Sequence, residues 1–138
     1  MILSIIIPVF NEESTILKVI EKINAVQLNG NIQKEIVIVD DGSFDGTAEK
    51  LRTLMNKPGY KIVFQNKNQG KTAAVKKGFT AAQGDILLIQ DADLEYDPAF
   101  YPALLEPILK DGISVVYGSR FLGEIKNIKL AGNQLDEL

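Results

Sequence analysis

The sequence predicts an α/β protein with an open, mostly parallel sheet and helices on both faces. Short runs rich in β-branched and aliphatic residues alternate along the chain with segments of helical period, which is the pattern of consecutive βαβ units. The 138 residues are enough for one domain with a buried core, and neither a repeat nor a linker divides them. A doubly wound sheet of five parallel strands accounts for both observations.

The strands are predicted at five aliphatic runs, which in chain order are residues 3–7, 35–39, 61–65, 86–89 and 114–117. Helices are predicted in the four intervals between them. Asn11 can cap the first helix, whose buried face is formed by four aliphatic residues. These are Ile16, Leu17, Ile20 and Ile23. The second helix is entered at residues 45–47, the third begins at Lys71, and the fourth has Pro98 in its first turn.

Composition excludes several classes of function. The net charge of -3 argues against a nucleic-acid-binding surface, because neutralising phosphates requires clustered Lys and Arg. The chain has no Cys and no His, which excludes thiolate and imidazole metal sites as well as Ser-His-Asp and Cys-His catalysis. Carboxylates, Lys, Arg, Tyr and backbone groups are left to carry any chemistry.

Membrane contact is expected to be peripheral, or to come from a C-terminal region that this sequence lacks. No apolar stretch approaches the roughly 18 residues needed to span a bilayer. The apolar start of the chain has no basic leader and is interrupted by Pro8, so it is predicted to be a strand and not a signal peptide. The expected location is cytoplasmic, at or near the cytoplasmic face of the membrane.

A short motif with polar residues follows each predicted strand. In chain order the motifs are Pro8-Val9-Phe10-Asn11-Glu12, Asp40-Asp41-Gly42-Ser43, residues 66–71, Asp91-Ala92-Asp93 and Gly118-Ser119-Arg120. The carboxyl ends of parallel strands meet at one edge of a sheet, where ligands bind in open α/β folds. Asp91 and Asp93 could hold a divalent cation against a diphosphate at this edge. Taken alone, the triplet also fits a strand that ends in a solvated acidic turn.

These motifs together resemble a known family. The order P-x-x-N-E, V-D-D-G-S, N-x-G-K, D-A-D and G-S-R is similar to that of the inverting glycosyltransferases of family 2, which have the GT-A (Rossmann-like) fold. The resemblance is strongest to the polyprenyl-phosphate branch, typified by dolichol-phosphate mannosyltransferase. It covers about residues 3 to 125. Residues 1–125 are therefore expected to form a nucleotide-sugar-binding domain, and 126–138 a partial acceptor-side segment or tail of a fold truncated at its C-terminus.

The resemblance implies a role for each matching position. Pro8, Phe10, Glu12, Val39 and Asp41 would build the nucleoside pocket, and Asp40 is a further donor-binding residue. Asp91 and Asp93 would contact the sugar-diphosphate, and Ala92 would pack against the nucleotide. Lys71 can reach the phosphate oxygens or be solvated. The metal would be Mg²⁺ or Mn²⁺, held by Asp91 and Asp93, with Glu95 as a third ligand where many relatives have Gln. Asp93 and Arg120 would be catalytic, with Arg120 stabilising the departing diphosphate.

The implied reaction moves a sugar from a UDP-sugar or GDP-mannose to a polyprenyl phosphate, with inversion at the anomeric carbon. A phosphate acceptor is anionic at neutral pH and needs no general base, which agrees with the absence of His. A saccharide hydroxyl is the alternative acceptor. A second alternative is a nucleotide-sugar-binding module without turnover, because the basic residues expected near Gly132-Asn133 are absent.

Other motifs fit less well. Gly70-Lys71-Thr72 resembles the end of a P-loop, with Asp91 as a possible Walker B acid, but Gln65 stands where the first Gly is needed. The segment from Asp91 starts like an EF-hand, but Tyr96 and Pro102 replace its Gly and Glu. No G-x-G-x-x-G follows the first strand, which argues against a dinucleotide cofactor.

Overall fold

The computed structural model describes residues 1–28, 30–94, 97–111 and 115–118. The elements in chain order are β1 (Ile2–Val9), α1 (Ile16–Ala25), β2 (Gln33–Asp40), α2 (Thr47–Arg52), β3 (Tyr60–Phe64), α3 (Lys71–Ala81), β4 (Ile86–Gln90), a 3₁₀ turn (Pro98–Phe100), α4 (Tyr101–Asp111) and β5 (Val115–Gly118). The five predicted strands are confirmed, each to within two residues. The predicted segment 126–138 lies outside the described residues.

The strands form one parallel sheet in the order β3-β2-β1-β4-β5. The chain builds outward from β1 to β3, then crosses back and places β4 on the other side of β1. The strand order therefore reverses between β1 and β4, and their carboxyl ends flank a crevice of the kind in which open α/β sheets bind ligands. We call the edge formed by the carboxyl ends of the strands the carboxyl edge.

Helices cover both faces of the sheet, as predicted. One face packs against α1, α2 and α4 through residues that include Ile5, Ile20 and Leu51. The other face packs against α3, where Val75 and Phe79 contact neighbours that include Ile6. Alternation along β1 divides its side chains between the two layers, as the period of a strand buried on both faces requires. Within the described ranges, no helix has both the length and the apolar character needed to cross a bilayer.

The start of α1 differs from the prediction. Asn11 does not cap it; the helix begins at Ile16, preceded by Thr15. Asn11 has a left-handed backbone with φ of 53°, so the chain makes a further turn before the helix begins. The buried face accordingly includes Val19, whereas Leu17 is 42% exposed. The starts of the second and fourth helices are confirmed, because Asp45 and Asp97 each accept a hydrogen bond from the backbone N–H two residues later, at 2.9 Å.

Two loops at the carboxyl edge pack directly on each other at Gly42. This glycine has φ of +75°, a conformation that residues with a Cβ rarely adopt. A Cβ at Gly42 would also lie 2.6 Å from the backbone nitrogen of Asn68 and 2.6 Å from the carbonyl carbon of Lys67. The loop after β2 can therefore contact the loop after β3 only because residue 42 has no side chain.

A polar cluster fixes the opposite edge of the sheet. The carboxylate of Glu35 accepts hydrogen bonds from the Ser4 hydroxyl at 2.7 Å and from the Gln83 N–H at 2.9 Å, and Lys61 lies 3.5 Å away. Ser4 in turn accepts the N–H of Gly84 at 2.8 Å. Burial acts to raise the pKa of Glu35, but these donors and the Lys61 charge together lower it. The cluster joins β1, β2 and β3 to the end of α3.

We expect Gly42→Ala to lower the free energy of unfolding by roughly 2 to 4 kcal/mol, because left-handed strain adds to the backbone clash. Gly30→Ala is the matched control, since Gly30 also has positive φ but has no neighbouring atom within 4 Å of the position that a Cβ would take. Gly30→Ala is expected to lower the free energy of unfolding by about 1 kcal/mol. Urea denaturation measures both. Equal losses in the two variants would contradict the proposed loop contact.

We expect Glu35→Gln to lower the free energy of unfolding by about 1 kcal/mol at pH 7, since the charged acceptor is lost. The lowered pKa of Glu35 means that its stabilisation is present above the ordinary Glu range, near about pH 4, and is lost as the pH falls through the folded-state value. The difference between wild type and variant should therefore shrink as the pH falls below the ordinary Glu range. Glu21→Gln, at an exposed position on α1, is the control. A difference that is constant with pH would show that the charge of Glu35 does not contribute.

Candidate functional site

A cleft of about 210 Å³ lies at the carboxyl edge, next to the point where β1 and β4 are adjacent. It is lined by Pro8, Val9, Glu12, Asp41, Lys71, Ala74, Asp91, Ala92 and Asp93. These residues come from the ends of three strands and the first turn of α3. The parallel sheet thus brings most of the positions that the sequence marked as donor-binding to one cleft.

The structure gathers seven of the predicted site residues: Pro8, Glu12, Asp41, Lys71, Asp91, Ala92 and Asp93. It places three others differently. Val39 is fully buried in β2, and the carboxylate of Asp40 accepts the Ser43 N–H at 3.2 Å within its own turn. Phe10 is 38% exposed and packs edge to face against Phe44, with 5.7 Å between ring centroids. Contact of these three with a nucleoside stays a prediction.

Two lining residues were not predicted from sequence. Val9 ends β1, and Ala74 lies in the first turn of α3. The available signal for Ala74 was the pair of small residues after Gly70-Lys71-Thr72, because a helix that begins at a binding cleft needs small side chains on the side facing it. Val9 had no such signal, since an aliphatic residue at the end of a buried strand is expected in the core.

Asp41 ties the end of β2 to the start of α3. Its carboxylate is 3% exposed and accepts hydrogen bonds from the backbone N–H groups of Gln69 and Gly70, at 2.7 and 2.9 Å. The Gln65 side chain donates a third, at 2.7 Å. A buried carboxylate requires such donors, because burying it without partners would be costly. Asp41 therefore fixes the segment that delivers Lys71 to the cleft.

The loop after β1 is held by its neighbours. The Asn11 N–H donates to Ser43 Oγ at 2.8 Å, and the Phe44 N–H donates to Asn11 Oδ1 at 3.0 Å. The Thr15 hydroxyl donates to the carbonyl oxygen of Ala92 at 2.6 Å. These contacts connect the loops after β1, β2 and β4 into one rim. They also explain why Asn11 is used in a left-handed turn instead of capping α1.

The D-A-D segment is supported from beneath by two buried polar side chains. The Tyr101 hydroxyl donates to Gln90 Oε1 at 2.6 Å, and Gln90 Nε2 donates to the carbonyl oxygen of Asp91 at 3.1 Å. Neither Tyr101 nor Gln90 has exposed surface. Hydrogen-bonded polar groups in the core specify one backbone arrangement, because breaking one bond leaves a buried group unpaired. Together with Thr15, they fix the position of the Asp91 and Ala92 backbone.

Charges of both signs meet in the cleft. Lys71 Nζ lies 2.5 Å from Asp91 Oδ1, with 50% of the Lys71 side chain and 11% of the Asp91 side chain exposed. Asp93, two residues on, is exposed. The Asp91 carboxylate thus faces a position that a cation can occupy, and the first turn of α3 adds backbone N–H groups that favour anions.

Asp91 and Asp93 fit a divalent metal whose other oxygen ligands come from a bound diphosphate. Asp91 and Asp93 offer the oxygen ligands that Mg²⁺ and Mn²⁺ prefer, and Asp91 already accepts a cationic group. The described part of the chain contains no cluster of three or more His, Cys, Asp or Glu suited to a metal. Two protein carboxylates therefore need further oxygens from a ligand. Glu95, the predicted third ligand, lies outside the described residues.

Only Gly118 of the G-S-R motif lies within the described residues. Gly118, the last residue of β5, pairs in register with Gln90, the last residue of β4. The two strands thus end at the same level of the carboxyl edge. Ser119 and Arg120 lie outside the described residues, so the catalytic role expected of Arg120 stays a prediction.

Relatives share this sequence over most of its length. Over 127 residues the chain is 39% identical to dolichol-phosphate mannosyltransferase of Pyrococcus furiosus, a match that covers 90% of this chain and 35% of that protein. It is 37% identical over 119 residues to undecaprenyl-phosphate 4-deoxy-4-formamido-L-arabinose transferase of Aeromonas hydrophila, with 83% and 36% covered. The chain thus spans about a third of the length of these curated relatives.

A solved structure supports the same assignment. A mannosyltransferase from Pyrobaculum calidifontis, in complex with GDP-Man and Mn²⁺, matches with a TM-score of 0.58 and 27% identity, covering 66% of this chain and 27% of that one. The predicted GT-A fold is confirmed. The family model for Glycosyl transferase family 2 matches residues 4–134, and the chain belongs to this family.

Proposed function

We propose that the cleft binds a nucleotide-sugar donor, a UDP-sugar or GDP-mannose, for transfer of the sugar to a polyprenyl phosphate with inversion. The observation that carries the proposal is the meeting of seven predicted donor-binding residues in one cleft at the point where the strand order reverses. The names of the relatives support the acceptor class, since they act on dolichol phosphate and undecaprenyl phosphate.

The cleft offers separate surfaces for the two parts of a donor. Pro8, Glu12 and Asp41 lie on the side of β1 and β2. The carboxylates of Glu12 and Asp41 suit the N–H donors of a base or the hydroxyls of ribose, with Phe10 close by on the rim. Lys71 and the first turn of α3 suit the diphosphate, because the ammonium carries positive charge and the N-terminus of a helix favours anions. Ala92 would pack against the nucleotide between the two carboxylates.

Asp91 and Asp93 would hold Mg²⁺ or Mn²⁺ against the diphosphate. Bound there, the metal supplies positive charge that stabilises the departing diphosphate. Lys71 would donate hydrogen bonds to the phosphate oxygens, and Arg120 would add a permanent charge with two parallel donors. The Gln90 and Tyr101 pair keeps the D-A-D backbone fixed while charge develops, so that little reorganisation is needed.

The acceptor in this proposal is already an anion, and its oxygen attacks the anomeric carbon in line with the leaving diphosphate. No general base is required, in agreement with a chain that has no His. The reaction takes place at the cytoplasmic face of a membrane, where a polyprenyl phosphate presents its headgroup. The same donor cleft would also serve a transferase that acts on a saccharide hydroxyl, or a binding module without turnover.

A transfer assay separates these three functions. The full-length protein that contains this chain is supplied with radiolabelled UDP-sugar or GDP-mannose together with a polyprenyl monophosphate, the matching polyprenol or an oligosaccharide. Label on the polyprenyl monophosphate alone is the result that the proposal requires. Label on the oligosaccharide would favour the hydroxyl-directed enzyme. Tight donor binding with no product from any acceptor would favour the binding module.

We expect UDP or GDP to bind at least roughly tenfold more tightly with Mn²⁺ than with EDTA, because an uncompensated contact between a carboxylate and a phosphate costs about 1 to 4 kcal/mol at about 4 Å. Asp93→Asn should remove most of this metal dependence. Isothermal titration calorimetry gives both affinities, and Glu21→Gln, on the exposed side of α1, is the charge-matched control. Equally tight binding in EDTA by the wild type would overturn the metal assignment and leave the donor assignment in place.

A further inference from the structure

The ion pair between Lys71 and Asp91 occupies the carboxylate that the proposed function assigns to the metal. Lys71 Nζ lies 2.5 Å from Asp91 Oδ1, so the ammonium donates a charge-assisted hydrogen bond to this carboxylate. Both residues line the cleft. A divalent cation bound to the same oxygen would lie within a few ångströms of the ammonium, and two cations at that spacing repel each other strongly. The ion pair and the metal are therefore alternatives.

The two partners differ in their freedom to move. Asp91 is mostly buried, and its backbone carbonyl is held by Gln90, which is itself bonded to Tyr101. Lys71 has a flexible four-carbon stem, is half exposed and stands at the first position of α3. If one partner leaves the other, it is Lys71 that moves. Asp91 stays in place and becomes available to another cation.

A diphosphate gives Lys71 a new partner at the place where it is released. Lys71 is the first residue of α3 and lines the cleft together with Ala74 of the same turn, and the N-terminus of a helix favours an anionic ligand. Moving the ammonium from the carboxylate to a phosphate oxygen replaces one charge-assisted hydrogen bond with another. The same movement frees Asp91 Oδ1 for the metal. One side chain thereby couples two binding events.

We infer that Lys71 is an exchangeable counter-ion, paired with Asp91 when no donor is bound and transferred to the diphosphate when donor and metal bind together. This inference rests on the proposed function. Without nucleotide, the protein is expected to discriminate against free divalent metal, and nucleotide and metal are expected to enhance each other's binding through Lys71. Coupling of this kind is reciprocal, so the enhancement is the same whichever ligand is added first.

The test measures binding of Mn²⁺ alone, of UDP or GDP alone, and of each nucleotide with Mn²⁺, by calorimetry and by the electron paramagnetic resonance signal of free Mn²⁺. We expect Lys71→Met to bind Mn²⁺ alone about threefold to tenfold more tightly than wild type, since the competing charge is gone. It should bind the nucleotide with Mn²⁺ about tenfold more weakly, because a charged donor to the phosphates is lost. The mutual enhancement of metal and nucleotide should fall accordingly.

Lys77→Met is the matched control, because it removes the same charge from an exposed position on the same helix. It is expected to match wild type in every measurement. Unchanged or weaker binding of Mn²⁺ alone by Lys71→Met, in a protein whose wild type binds nucleotide with Mn²⁺, would overturn the exchange and leave the donor site intact. Absence of nucleotide binding in wild type and all variants would instead overturn the proposed function, and the exchange with it.

Discussion

The pairing of β1 with both β2 and β4 is the constraint on which the rest of the cleft depends. The register of β1 joins Leu3 to Ile86 on one side and to Lys34 on the other. Because all three strands are parallel, their carboxyl ends lie at one edge, and the reversal of strand order leaves a crevice between the loops after β1 and β4. Residues as far apart in sequence as Pro8 and Asp91 become neighbours by this route.

Hydrogen bonds between loops turn this edge into a defined surface. Asp41 takes its donors from the segment before α3, Gly42 lets that segment pass close to its backbone, and Thr15 holds the D-A-D carbonyl. Each contact joins loops that belong to different strands. The loops consequently support one another, and a change in one of them is transmitted to the residues that line the cleft. Asp41 thereby positions the segment that leads into α3.

The electrostatics of the cleft depend on a carboxylate that is held in place, Asp91, and an ammonium on a flexible side chain, Lys71. Gln90, itself bonded to Tyr101, holds the backbone carbonyl of the mostly buried Asp91, whereas Lys71 has a flexible four-carbon stem and is half exposed. A rigid carboxylate facing a movable ammonium is suited to exchange one cation for another. The proposed binding of a nucleoside diphosphate together with a divalent metal rests on this arrangement.

Local sequence patterns were sufficient to predict the strands, the parallel α/β class and the motifs at the strand ends, because aliphatic runs and turn residues act over a few neighbouring positions. They placed Asp91, Asp93 and Lys71 at the carboxyl edge for the same reason. Three other outcomes required the folded chain: Asn11 turns left-handed instead of capping α1, Val19 and not Leu17 faces the core, and Asp41 bonds to Gln69 and Gly70. These outcomes depend on which loops and layers meet in space, and local periodicity carries no information about partners that lie tens of residues away.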